Sequence, residues 1–190
     1  MRVLVDTNIL LRSAQPNHPL CYQATHAVSK LLRQNDSVFF CPQNIAEFWN
    51  VATRPAERNG LGFSNEEVLR EVTSIEESLA LLPDVPAIYV VWKRIVHDYK
   101  VQGVKVYDAR LVAIMNVYAV ESILSFNIAD FKRYDLVTAL HPASLLASCL
   151  GAENDVSQQV GGGLRPVPSP LRGLISNLRW CLFPGLTPLG

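Results

Sequence analysis

The sequence has no excess charge of either sign: 17 Lys and Arg stand against 17 Asp and Glu. That excludes a chain coated in positive charge, so any hold on nucleic acid must come from a local patch. Charged residues make up only 18% of the 190 positions, while 49% are hydrophobic, enough for a sizeable core. Cysteine is scarce. Cys21, Cys41, Cys149 and Cys181 lie far apart and form no Cys-x-x-Cys pair, which argues against a zinc site and against a disulfide framework. No run approaches the roughly eighteen uninterrupted apolar residues of a membrane span. The opening MRVLVD lacks the apolar stretch and small-residue cleavage site of a secretion signal. One domain with an appendage, in a reducing cytoplasmic setting, is the expectation.

What is present is an alternation of short apolar runs with helical periods. Residues 2–6 read as a buried strand, SVFFCP as a second stopped by Pro42, SILSF as a third and DLVTAL as a short last one. Helical spacing occupies residues 19–34, with Ala24, Ala27, Val28, Leu31 and Leu32 on one face. QNIAEFWNVATRP predicts a helix that ends before Pro55. In SNEEVLREVTSIEESLALLP, Ser64 and Glu67 form a capping-box signature, and Val68, Val72, Ile75 and Leu79 share a face. DVPAIYVVWKRIVHDYKV carries Pro86 in its first turn, and KVYDARLVAIMNVYAV is a further helix. This order implies an α/β fold with a parallel sheet flanked by helices. After residue 147 the texture changes to Gly, Pro and Ser without a period, as in GGGLRPVPSP. Residues 148–190 are expected to be a poorly ordered tail that packs little against a domain of residues 1–147, with LRGLISNLRWCLF as a brief amphipathic helix at most.

Acids recur just beyond several of the apolar runs. Asp6 ends the first strand, Glu47 lies within two turns of the helix after the second, Asp108 opens a later helix, and Asn127 and Asp130 follow SILSF. In open parallel sheets, ligands sit beyond the carboxyl ends of the strands. Each residue also has a plain structural use. Asp6 could cap a helix, Asp108 could answer a helix dipole, and Asn127 with Asp130 could make a turn. Glu47 resists that treatment, because Ile45, Ala46, Phe48 and Trp49 surround it and a carboxylate there needs a partner. Two carboxylates about 4 Å apart repel by roughly 1 kcal/mol in water and about 4 kcal/mol at an effective dielectric near 20. Several in one cleft therefore call for a cation, and oxygen-only ligands suit Mg2+ or Mn2+.

The segments VDTNILLR, NIAEFWNVATRP with the following NGLG, GVKVYDARLVA and LSFNIADFKRY together resemble the PIN-domain family, and within it the VapC-like toxin ribonucleases of type II toxin–antitoxin systems. The likeness spans roughly residues 1–146, with four motifs in the family's order. It implies a metal-dependent endoribonuclease using Mg2+ or Mn2+. Asp6, Glu47 and Asp108 would be its acids, with Asn127 or Asp130 in the fourth place. Asp6 and Asp108 would hold the metal, and Thr7 and Asn8 would support the first acid. Tyr107 departs from the His common before the third acid. Arg12, Arg110, Lys132 and Arg133 lie near the acids in sequence and are candidates for the RNA backbone, although a solvated rim serves each as well. Trp49 reads as core rather than as a base-stacking platform. The partners expected are RNA, a cognate antitoxin protein and a second copy of the chain.

Two other readings stay open. A phosphate-accepting receiver wants paired acids at the first strand, and a haloacid-type phosphatase wants Asp-x-Asp; this chain has Asp6-Thr7-Asn8. A non-catalytic binding module would have lost an acid, whereas Asp6, Glu47, Asp108 and Asp130 all remain. The unusual tail is that reading's best support.

Overall fold

The computed structural model of the protein describes residues 1–147, so the expectations for the tail, and Cys149 and Cys181 with it, lie outside the described residues. Five strands, β1 (Arg2–Val5), β2 (Ser37–Phe40), β3 (Ala80–Leu81), β4 (Ser122–Leu124) and β5 (Thr138–Leu140), form one sheet in the order β3-β2-β1-β4-β5. Every pairing is parallel, as the alternating pattern requires. Val3, Leu4 and Val5 of the central strand are completely buried. A strand covered on both faces reads as a continuous apolar run, and VLV is one.

Two cores lie on opposite faces of this sheet. On one face, Ile9 and Leu10 of α1 (Thr7–Ser13) and Leu31 of α2 (Cys21–Arg33) meet Phe48 of α3 (Pro42–Thr53) and Ile75 of α4 (Asn65–Ser78). On the other face, Ile88 and Ile95 of α5 (Pro86–Asp98) pack with Leu111, Ile114 and Met115 of α6 (Lys105–Val117). A last helix, α7 (Pro142–Ala147), returns to α2, where Lys30 Nζ donates to the Leu145 carbonyl at 2.5 Å. The chain leaves β1 for one neighbour, β2, and reaches its other neighbour, β4, only after α3 to α6. The carboxyl ends of β1 and β4 thus flank a switch in connection direction, where a crevice opens in sheets of this kind.

Local signals place the helices well. Ser64 Oγ accepts from the Glu67 N–H at 3.2 Å, and Glu67 Oε2 accepts from the Ser64 N–H at 2.8 Å, which closes the capping box expected there. Pro42 and Pro86 stand in the first turns of α3 and α5, where the missing N–H costs nothing.

Two elements depart from the sequence reading. The helix expected through residue 83 stops at Ser78, and Ala80–Leu81 join the sheet edge as β3 beside Phe39 and Phe40. Leu79 turns extended, with φ −123° and ψ 153°. The run LALL has no polar break, and a short apolar run suits a strand or a helix end equally. The second departure is α1, seven residues immediately after Asp6, which is too short for its period to show.

The turn after α3 depends on glycine. A Cβ added at Gly60 would stand 1.8 Å from the Arg54 carbonyl oxygen, while the Gly62 N–H donates to that same oxygen at 2.9 Å. Gly60→Ala is therefore expected to lower stability by about 2–4 kcal/mol, because backbone must move to admit a methyl group. Gly103 has φ +59° but nothing within 4 Å, so Gly103→Ala should cost only about 1 kcal/mol. Urea unfolding of the two variants beside the parent chain measures the difference.

Candidate functional site

Asp6 is the first residue beyond β1. Its backbone N–H donates to the Leu124 carbonyl at 2.9 Å, so pairing of β1 with β4 continues one residue past the strand and fixes the acid at the switch point. It occupies the N-cap position of α1, but its side chain makes no capping hydrogen bond. The carboxylate is instead a receiver for side chains across the cleft. Asn8 Nδ2 donates to Asp6 Oδ2 at 2.7 Å, and Ser125 Oγ donates to the same oxygen at 2.6 Å. Asn8 also ties the two strand ends together, because its Oδ1 accepts the Phe126 N–H at 3.2 Å.

Glu47 reaches the same place from α3. Thr7 Oγ1 donates to Glu47 Oε2 at 2.7 Å, and Gln43 Nε2 donates to Glu47 Oε1 at 2.8 Å. Thr7 is in turn held by Asn44 Nδ2 at 3.2 Å. Asn44 is fully buried, and it satisfies the start of α3 by accepting from the Cys41 N–H. The apolar neighbours noted in the sequence pack elsewhere: Phe48 lies in the core, and Trp49 and Ile45 lie against it, as expected for Trp49.

Asp108 comes from the first turn of α6. Lys105, one turn earlier, lies 3.6 Å from Asp108 Oδ2 and 2.6 Å from Asp130 Oδ1, so a single ammonium joins two carboxylates. Asp130 ends the 3-10 turn Ile128–Asp130 that follows Asn127. Asn127 is exposed, and its backbone N–H donates to Ser125 Oγ at 2.9 Å.

The acids interact through their charges. Asp6 keeps a little exposed area, yet almost everything around it is protein, and burial is the main reason its pKa rises to about 6. The Ser125 hydroxyl opposes the rise, and the negative charges of Glu47 and Asp108 add to it. Burial also raises Asp108, against the pull of Lys105 and with the repulsion of Asp130 and Glu47. The structure thus brings Asp6, Glu47, Asp108 and Asp130 into one electrostatic unit, with Thr7 and Asn8 bound to its first two members.

The basic candidates divide. Arg110 Nη2 pairs with Asp84 at 2.7 Å and Nη1 donates to Gln43 at 3.0 Å, so its charge is built into the wall beside Glu47. Arg12 donates to Gln15 Oε1 at 2.7 Å. Lys132 and Arg133 are exposed just past Asp130, and neither enters an ion pair among the described residues.

Sequence reasoning missed Lys105, Ser125, Gln43 and Asn44. Ser125 left one trace, a hydroxyl directly beyond an apolar strand. Gln43 lies one helical turn before Glu47, a spacing that lets side chains meet. Lys105 stands one turn before Asp108 and Asn44 three residues after Cys41, but their contacts to Asp130 and Thr7 cross distances that no local spacing encodes.

The donor set consists of oxygen atoms, which fits a hard divalent cation. Among the described residues no three His, Cys, Asp or Glu side chains stand close enough to enclose an ion alone. Mg2+ ordinarily takes one or two carboxylates and keeps several waters, so the site fits a hydrated ion rather than an all-protein cage.

The family model described as PIN domain matches residues 3–136. Among solved structures, VapBC-1 from nontypeable Haemophilus influenzae is similar over 75% of this chain and 99% of its own, at TM-score 0.57 and 16% identity. VapBC2 from Rickettsia felis, solved bound to a DNA fragment from its promoter, matches over 74% of this chain and 98% of its own, at TM-score 0.56 and 14% identity. PAE2754 from Pyrobaculum aerophilum matches over 80% and 96%, at TM-score 0.52 and 15% identity. At these identities the likeness is one of fold. No curated protein matches the chain.

The raised pKa of Asp6 fixes a sign. The folded chain binds this proton more tightly than the unfolded chain, so Asp6 lowers stability as pH climbs from about 4 through about 6. Asp6→Asn keeps an oxygen for Asn8 and Ser125 and loses the charge. In EDTA at about pH 7.5 it should be more stable than the parent by roughly 1–3 kcal/mol, a gain that fades near pH 4 where Asp6 is already protonated. Denaturant unfolding at the two pH values tests this.

Proposed function

The chain belongs to the PIN domain family, and from that membership we propose that it is a metal-dependent endoribonuclease, the toxin of a toxin–antitoxin pair. The observation that carries the reading is the buried Asp6. Its charge is disfavoured by burial and by two neighbouring acids, its cap position goes unused, and its carboxylate is held by donors from two strand ends. A fold retains such a group against its own stability when a ligand supplies the missing positive charge.

Asp6 and Asp108 would hold Mg2+ or Mn2+, which supplies a more acidic water and an offset for charge on the phosphate. The remaining steps fall to the chain's own residues. Thr7 and Gln43 fix both oxygens of Glu47 and so aim it at the cleft. Asn8 and Ser125 hold Asp6 in one rotamer. Asn127 and Asp130, at the mouth beyond β4, would orient the attacking water. Arg110 presents a fixed charge from the wall, and Lys132 and Arg133 present free ones for the RNA backbone. Tyr107 is exposed, and its backbone carbonyl accepts from Gln43 Nε2 at 3.1 Å.

Cleavage of a labelled RNA by the purified chain tests the assignment. Asp6→Asn and Asp108→Asn should each lose several decades of rate with the fold intact, and the double variant should be little worse than either, because both serve one cation. Asn127→Ala should lose less. Full activity in EDTA, or an active Asp6→Asn chain, would overturn the mechanism.

For a partner we infer a small antitoxin that lays an apolar segment across the helices beside the cleft. Expression of the chain alone should arrest growth, and co-expression of the small protein encoded beside it should restore growth. A neighbour that neither binds the chain nor blocks cleavage defeats this part of the reading.

A further inference from the structure

The outer half of the acid cluster already contains a cation. Lys105 Nζ lies 2.6 Å from Asp130 Oδ1 and 3.6 Å from Asp108 Oδ2. Lys105 stands one turn before Asp108 on α6, and Asp130 ends the 3-10 turn after β4, so the triad joins two elements 25 residues apart. The inner half is different. The donors to Asp6 and Glu47 are the neutral groups of Asn8, Ser125, Thr7 and Gln43, which orient a carboxylate without cancelling its charge.

We propose that Lys105 is a tethered cation that excludes a divalent ion from the Asp108–Asp130 pair, so that the cluster takes one ion, on its Asp6 side, instead of two. The inference rests on the metal-binding part of the proposed function and adds to it the number of ions and the residue that sets that number. The physical ground is competition. A divalent ion placed between Asp108 and Asp130 would have to displace an ammonium fixed to its own helix, or share a few ångströms with it, and like charges at that range in a part-buried site repel strongly. An ion shared by Asp6 and Asp108 meets only the neutral amide and hydroxyl donors on its Asp6 side, so Lys105 opposes it from one side alone. Lys105 also offsets the repulsion between Asp108 and Asp130, which helps two acids remain side by side at the mouth of the site.

The decisive variant is Lys105→Met, which keeps the length of the stem and removes the charge. Mn2+ alone serves as the probe. Its binding to the full chain is counted by electron paramagnetic resonance of the free ion and by titration calorimetry, both independent of RNA cleavage. The parent should bind one Mn2+ per chain. Lys105→Met should bind one further equivalent, or bind Mn2+ about tenfold tighter or more, and adding Asp130→Asn should abolish that gain. Lys105→Arg, which restores the charge, should behave like the parent. A Lys105→Met chain that melts as a folded protein yet binds Mn2+ with the parent's stoichiometry and affinity overturns the proposal. So does a gain that survives Asp130→Asn. The metal reading fails separately, if the parent binds no Mn2+ at all. In that event the proposal falls with the metal reading, whereas a parent that binds one Mn2+ and an unchanged Lys105→Met sink the proposal alone.

Discussion

Asp6 is a carboxylate at the tip of a strand whose preceding three residues are wholly buried, and Glu47 and Asp108 extend their negative charge toward it. The chain could not relax this by turning the side chain outward. The backbone of Asp6 is pinned to Leu124, and its oxygen is gripped from Asn8 and Ser125. The arrangement of the open end of the sheet follows from that constraint. Donors that satisfy the acids without neutralising them line the inner side. Charges that do neutralise, Lys105 on Asp108 and Asp130 and Arg110 on Asp84, stand at the rim.

The division separates orientation from compensation. A hydrogen bond from a hydroxyl or an amide fixes where a carboxylate points and leaves its charge available. An ammonium or guanidinium does both at once. Thr7 shows how economically orientation is arranged: it opens α1, is buried, receives Asn44 and donates to Glu47. One hydroxyl thereby connects the ends of β1 and β2 through the first turns of α1 and α3. Replacing such a group by a charged one would hold the geometry and lose the electrostatic asymmetry.

The sheet, its parallel pairing and most helices were legible in the sequence because each leaves a local mark. VLV and SILSF are apolar runs, Ser64 with Glu67 announces a helix start, and Pro42 and Pro86 sit where a first turn tolerates them. The acids were legible for a related reason, since Asp6, Glu47, Asp108 and Asp130 each interrupt or follow an apolar run. What no local pattern carried was pairing between distant residues. Ser125 matters because β4 lies beside β1, and Lys105 matters because the turn after β4 folds over the start of α6. The short strand β3 hid inside LALL, where periodicity gives the same answer for a strand and for the end of a helix. The direction of a side chain is likewise silent: nothing in DTN says that Asp6 declines to cap α1.

The centre of the sheet has a consequence for how the molecule comes into being. Val5 pairs with Leu124, and Ser125 reaches Asp6 across 119 positions. During synthesis the first strand therefore emerges long before the neighbour that completes its outer side. Until about residue 125 has left the ribosome, Asp6 has neither its Ser125 donor nor a second wall. Pairings of such separation close slowly, because a long loop must be ordered before any contact rewards it. A ribosome carrying this chain consequently holds the cleft in pieces until β4 and Ser125 have emerged, and the acid cluster cannot assemble before then.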